Sequence, residues 1–139
     1  MIHNDLNSGN VIVDASGTGR IAGIIDFGDT MYSPVIVDVA IAAAYLIDDT
    51  NAPLTRILKF LRGYAKVRRL TEIETDLLYD LILTRNVTTI VIAHWLAEYY
   101  PENRDYILLD EARARQSIAR LMSMGRAEVS HFFGTACAQ

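Results

Sequence analysis

The sequence contains a single cysteine, Cys137, close to its C-terminal end. One thiol can form neither a disulfide framework nor a cysteine-based zinc site within one chain. A reducing, cytoplasmic compartment is the default for such a chain. Long apolar runs are also missing. The longest, from Val35 to Ile47, is interrupted by Asp38 and is too short and too polar to span a membrane. No basic segment leads into an apolar run at the N-terminus, so no signal peptide is expected. Basic residues are scarce at the start: residues 1–50 hold seven aspartates and one cation, Arg20, in a chain of net charge −4. A nucleic-acid binder shows a net basic domain instead, so no nucleic-acid partner is expected. Phosphate-cradling glycine loops are absent too. Gly17-Thr18-Gly19 is the nearest approach, but it lies between two strands and reads as a hairpin turn. There is no H-E-x-x-H, no catalytic-triad pattern and no metal-spaced histidine pair.

What is present is ordinary globular material: 139 residues, 51% hydrophobic and 22% charged, enough for one domain with a core. The clustered early aspartates suit either a cation site or solvated turns. Val11–Val13 and Ile21–Ile25 read as two strands of a β-hairpin around the turn cluster Asp14–Gly19. Val35–Leu46 is apolar nearly all round and predicts a buried helix. Leu54–Arg69 is amphipathic, with Leu54, Ile57, Leu58, Leu61 and Ala65 on one face. Its basic residues Arg56, Lys59, Arg62, Lys66 and Arg69 read as a solvated stripe. Thr71 with Glu74 forms a capping-box pattern, opening a helix that runs toward Tyr99 with a break near Asn86. His94-Trp95 reads as core or near-core on that helix. Arg104 to about Met124 predicts a last long helix, and the tail from Gly125 is left unassigned. The expected fold class is α+β, mostly helical: a small hairpin and four or five helices in one domain over residues 1–139.

The chemistry is concentrated in His3-Asn4-Asp5-Leu6-Asn7-Ser8-Gly9-Asn10 and in Asp26-Phe27-Gly28-Asp29. The first fits H-x-D-L-x-x-x-N and the second contains D-F-G, in the order of the kinase signature. Phosphoryl transfer needs a carboxylate near the acceptor hydroxyl and oxygen ligands that hold Mg²⁺ against the nucleotide phosphates. Asp5 would orient the hydroxyl or accept its proton. Asn10 would offer a neutral amide oxygen and Asp26 an anionic one. The hairpin leads out and back, so its two strand ends place Asn10 and Asp26 side by side although they are sixteen residues apart. Each residue taken alone reads better as a turn or structural residue; it is their joint order and spacing that point to a site.

These motifs resemble the aminoglycoside phosphotransferase and choline kinase group, whose catalytic loop reads H-G-D-x-x-x-x-N. Within it the chain is most similar to the hydroxylysine kinase branch and to related domains fused to class III aminotransferases. The branch pattern is matched by His3 through Asn10, by Gly23 through Asp29, and by Tyr100-Pro101-Glu102-Asn103-Arg104. The resemblance extends from residue 2 to about residue 125. It implies a protein-kinase-like C-terminal lobe with Asp5 as catalytic residue, Asn10 and Asp26 as Mg²⁺ ligands, and His3 bracing the loop. Asp29 corresponds to a further acid beside the site. Asp38 corresponds to an acid that bonds back to the catalytic loop, which also answers the cost of an unpaired charge on an apolar helix. Asn4 stands where the group has glycine.

The resemblance further implies Mg²⁺, ATP or GTP as donor, and a small amine-bearing hydroxyl acceptor, hydroxylysine-like or aminoglycoside-like. A protein substrate is not expected, because no A-P-E segment follows D-F-G. The group's nucleotide-gripping N-terminal lobe has no counterpart in the sequence, which begins its catalytic loop at residue 3. Three readings therefore stand open: a kinase of a small hydroxylated amine, a piece that works with a separately encoded N-lobe, and a non-catalytic remnant. Helices that would rest on such a lobe imply an exposed apolar patch and self-association.

Overall fold

The computed structural model describes residues 1–47 and 50–138. The order of elements follows from local chemistry. Strands β1 (Val11–Val13) and β2 (Ile21–Ile24) pair antiparallel, with Val11 opposite Ile24 and Ile12 opposite Gly23. The register then slips, so that Val13 faces Ile21 and Ala22 is the extra residue of a bulge. The connecting turn is held by the Asp14 carboxylate, which accepts from Ser16 N–H at 2.9 Å. Gly17 and Gly19 supply the positive φ angles it needs.

Six helices follow: α1 (Val35–Ala44), α2 (Thr55–Ala65), α3 (Glu72–Tyr99), the single turn α4 (Arg104–Ile107), α5 (Glu111–Met124) and α6 (Arg126–Cys137). The class is α+β and mostly helical, as expected, with five helices of two turns or more. Among the described residues no helix is long and apolar enough to cross a membrane. Helix α3 is the spine, and α1, α5 and α6 all pack on it. At 1.5 Å per residue it spans about 42 Å. The core joins Val39, Ala40 and Ala43 of α1, Ile57 and Leu61 of α2, Leu78 and Ile82 of α3, Leu121 of α5, and Val129 and Phe133 of α6. The alanines of α1 combine high helix propensity with a close approach to α3. On α2 the residues Arg56, Lys59 and Arg62 are exposed, as the stripe predicts.

The structure corrects four details. Helix α3 runs unbroken through Asn86, because that side chain is used rather than left competing with the backbone. Its amide donates to Ile82 O at 3.0 Å and to Ser117 Oγ at 3.1 Å, tying α3 to α5. Trp95 is not core: it is 57% exposed and packs at a tilt of 51° against Tyr99 with 5.2 Å between ring centroids. The Arg104–Met124 stretch is split into α4 and α5. The tail is helix α6, begun after Gly125 at φ 82° and buried through Val129 and Phe133.

The capping box forms as the sequence predicts. Thr71 Oγ1 accepts from Glu74 N–H at 3.2 Å, and Glu74 Oε2 accepts from Thr71 N–H at 2.9 Å. Arg68 Nη2 adds a 2.7 Å bond to Glu74 Oε1. The Arg68 guanidinium first, and the Thr71 backbone second, hold the Glu74 carboxyl below its ordinary value. A lowered carboxylate stabilises the fold above the ordinary carboxyl range, and that stabilisation is lost as pH falls through the lowered value. Thr71→Ala is expected to cost about 1 kcal/mol in urea unfolding. Glu74→Gln should lower stability at neutral pH and leave the acid end least changed, so that the two stability–pH profiles converge as pH falls below the lowered value.

Two apolar surfaces stay open. Ile12, Val13, Ile21, Ile24 and Ile25 of the hairpin region are exposed, because a two-stranded sheet with nothing packed on it buries neither face. Val87, Val91, Trp95 and Tyr99, spaced four apart on α3, form an exposed stripe.

Candidate active site

The loop before β1 is shaped by its own short-range hydrogen bonds. Asn7 Oδ1 accepts from Gly9 N–H at 2.8 Å and starts a single 3₁₀ turn, Ser8–Asn10. Nδ2 of Asn7 and Nδ2 of Asn10 both donate to Asp5 Oδ2, at 3.0 and 3.1 Å. Asn10 Nδ2 also donates to the Asp5 carbonyl at 2.8 Å. Two amides therefore orient one carboxylate from within five residues of chain.

Longer connections fix this loop to the body. Asp38, in the first turn of α1, accepts from two successive backbone donors, His3 N–H at 3.0 Å and Asn4 N–H at 2.9 Å. This answers the question posed by an acid on an apolar helix. Its place in the first turn is also where the helix dipole favours a negative charge. The His3 ring donates from Nε2 to Ile25 O at 2.9 Å, so its Nδ1 is the acceptor for Asp5 N–H at 3.3 Å. His3 is thus a strut between the catalytic-type loop and the end of β2. It also packs on Phe27, with ring centroids 4.8 Å apart.

The hairpin returns the chain to the same place. Ile25 N–H donates to Asn10 O at 3.0 Å, setting Asp26 one residue beyond the partner of Asn10. Ile2 and Met31 close the base with a two-bond antiparallel bridge. Asp26 is exposed, sits in the left-handed region at φ 63°, and makes no hydrogen bond or ion pair with a described residue. A non-glycine residue there carries strain of about 1–3 kcal/mol and is a marker of functional geometry. Asn4 is the other such residue, at φ 69°. Asparagine tolerates this conformation better than other side chains, which explains how it replaces glycine at this position. Asn4→Gly should therefore leave thermal stability unchanged or slightly raised, whereas Asn4→Val should lower it by about 1–2 kcal/mol.

Asp5 faces a cleft of about 470 Å³, lined also by Asp29, Tyr45, Arg85, Tyr106 and Asp110. Arg85, in the middle of α3, donates from Nη2 to Asp5 Oδ1 at 2.6 Å and to the Tyr45 hydroxyl at 3.1 Å. Arg113 of α5 lies over the Tyr45 ring, 4.1 Å from its centroid. The same guanidinium donates to Ala44 O at 3.0 Å and to Asp110 at 3.2 Å. The C-terminal end of α1, the middle of α3 and the start of α5 are thereby locked around the cleft. A larger groove, about 710 Å³, lies between the start of α3 and α6 and holds none of the candidate site residues.

The model of the phosphotransferase enzyme family matches residues 1–70, half of the chain and all of the loop and hairpin just described. The chain belongs to the phosphotransferase enzyme family. It is 33% identical over 137 residues to hydroxylysine kinase of Mus musculus, 28% over 137 residues to that of Bos taurus, and 30% over 129 residues to that of Danio rerio. These matches cover 91–94% of this chain and 36% of each relative. The chain thus spans about a third of the length of the curated relatives it matches. No solved structure matches it.

Within this chain the six candidate site residues gather around one loop. His3 and Asp38 hold the loop, Asn10 bonds directly to Asp5, and Asp26 stands at the end of β2 beside Asn10. Asp29 lines the same cleft as Asp5. Arg85, Tyr45 and Asp110 escaped the motif reading. Arg85 alone left a trace: it is the only lysine or arginine in the 28 residues of α3, in a stretch otherwise apolar or neutral.

Proposed function

We propose that this phosphotransferase is a small-molecule kinase, passing the γ-phosphate of ATP or GTP to a hydroxyl of an amine-bearing acceptor, hydroxylysine-like or aminoglycoside-like. The observation that carries the reading is the carboxylate of Asp5, oriented by two amides and presented to an acid-lined cleft. In the proposed reaction Asp5 takes the acceptor's hydroxyl proton as its oxygen bonds to phosphorus and the bond from phosphorus to the leaving diphosphate breaks. The acidic cleft suits the ammonium groups of the acceptor.

The residues present fit a magnesium ion. Asp26 has a carboxylate with no hydrogen-bond or ion-pair partner among the described residues, and Asn10 uses only its Nδ2 on Asp5. Mg²⁺ is held through one or two protein oxygens with phosphates and waters completing its shell. Among the described residues no group of three or more acids, histidines or cysteines could hold a metal unaided. When bound, the ion would neutralise charge on the transferring phosphate. The chain's two lysines, Lys59 and Lys66, belong to α2 and the turn after it and do not line the cleft. The grip on the nucleotide is therefore assigned to residues outside this chain, which supplies the catalytic loop and metal site.

The test is Mg²⁺-dependent transfer to hydroxylysine and a panel of amino alcohols and aminoglycosides, comparing wild type with Asp5→Asn and Asp26→Asn. Loss in both variants supports the reading. Undiminished transfer in either one sinks its assignment of that residue. No transfer from any form would favour the alternative, a non-catalytic piece that needs a separate N-lobe.

A further inference from the structure

The two amides that orient Asp5 leave it one freedom. Asn7 Nδ2 and Asn10 Nδ2 both donate to Oδ2, at 3.0 and 3.1 Å, and neither acts on Oδ1. The last torsion of an aspartate side chain is broad and roughly two-fold. A carboxylate held at one oxygen can therefore still swing the other. Arg85 removes that freedom, because its Nη2 donates to Oδ1 at 2.6 Å. Three donors on two oxygens fix the plane of the carboxylate. An ionised carboxylate has about four acceptor positions. Two on Oδ2 and one on Oδ1 are taken, so the position left over belongs to Oδ1.

Arg85 is held in its turn. The same Nη2 donates to the Tyr45 hydroxyl at 3.1 Å. The Tyr45 ring lies against the Arg113 guanidinium, which is tied to Ala44 O and to Asp110. Stability does not account for a cation at this place. The Arg85 and Asp5 side chains are each only 23% exposed, and an ion pair largely withdrawn from water gains little over apolar side chains of the same volume. What the pair does supply is a direction for Asp5.

We propose that Arg85 is a positioning residue of the transfer reaction. It turns the Asp5 carboxylate so that Oδ1 receives the acceptor's hydroxyl, and Tyr45 sets Arg85. This rests on reading Asp5 as the proton acceptor of a kinase.

The test compares wild type with Arg85→Met, Arg85→Lys and Tyr45→Phe in the whole 139-residue chain, at a temperature where each is folded. Two readouts are taken: transfer kinetics with hydroxylysine, and the side-chain amide resonances of Asn7 and Asn10 in nitrogen–proton NMR spectra. Arg85→Met keeps length and helix propensity but donates nothing. It should shift both amide resonances, speed their exchange with solvent, and lower kcat about 10- to 100-fold with the acceptor KM little changed. Arg85→Lys should move both readouts back toward wild type, because both bonds come from one nitrogen and an ammonium has three donors. Tyr45→Phe, which loses only a hydroxyl, should shift the same two resonances by less. Amide resonances of Arg85→Met that superimpose on those of wild type overturn the proposal, since the carboxylate is then held without Arg85. So does a rise in KM with kcat unchanged, which makes Arg85 a contact for the acceptor instead. A wild-type chain that transfers nothing sinks the kinase reading, and the resonances still decide whether Arg85 sets Asp5.

Discussion

Replacing Asp5 by Asn is expected to lower phosphoryl transfer by about 10²- to 10⁴-fold, the range that one positioned proton acceptor contributes. The substitution is conservative in shape, but it leaves one acceptor oxygen where the carboxylate had two, so it cannot accept from Arg85 and from both the Asn7 and Asn10 amides at once. An asparagine Oδ1 still accepts from Arg85 Nη2, and the backbone carbonyl still receives Asn10 Nδ2. What it removes is the negative charge and the ability to hold the acceptor's proton. Thermal stability should fall modestly with these lost contacts, while kcat at a temperature where the variant is fully folded collapses. A variant that loses activity only by unfolding would not support the assignment, and one that transfers phosphate at the wild-type rate would refute it. Asp26→Asn should differ in kind, because its loss concerns oxygen donation to the metal. Raising Mg²⁺ should recover part of the Asp26→Asn rate and none of the Asp5→Asn rate.

Asp38→Ala is expected to have the largest effect on stability of any single change near the site. Its carboxylate accepts from two consecutive backbone N–H groups, one of them on His3, which is 8% exposed. Hydrogen bonds to a charged group are worth about 1.5–3 kcal/mol each, and removing the acceptor leaves both donors unsatisfied. A loss of roughly 3 kcal/mol follows, on the order of a 10 °C fall in Tm for a chain of this size. Asp38→Asn keeps one acceptor oxygen and should lose about half as much. Activity should fall with stability in both, since Asn4 and Asp5 are carried by the same anchored backbone. Unfolding midpoints for the pair, measured beside Asp5→Asn, separate a brace from a reacting group. An Asp38→Ala chain as stable as wild type would remove Asp38 from the account.

The two residues illustrate different degrees of legibility. Asp5 was identifiable because its loop is local: the amides that orient it come from Asn7 and Asn10, two and five positions away, and a sequence pattern records such spacing directly. The capping box of α3, three residues long, is legible for the same reason. Asp38 was legible at one remove, since a charge on an apolar helix demands a partner whose identity the sequence does not print. Trp95 misled because an aromatic on a long helix reads as buried, whereas only the packing of α1, α5 and α6 decides which faces of α3 are covered.

By itself, then, the sequence determined the hydrogen-bonded loop from His3 to Asn10, the hairpin that brings Asp26 back to Asn10, the mostly helical class and the cap of α3. All of these rest on interactions between near neighbours or on periodicity within one element. Tertiary structure alone decided that Arg85 meets Asp5 across eighty residues of chain, that Asn86 locks α3 to α5, and that Tyr45 and Arg113 close the cleft. Those contacts depend on how helices pack against one another, and a helix presents the same sequence pattern whichever neighbour its polar side chains reach.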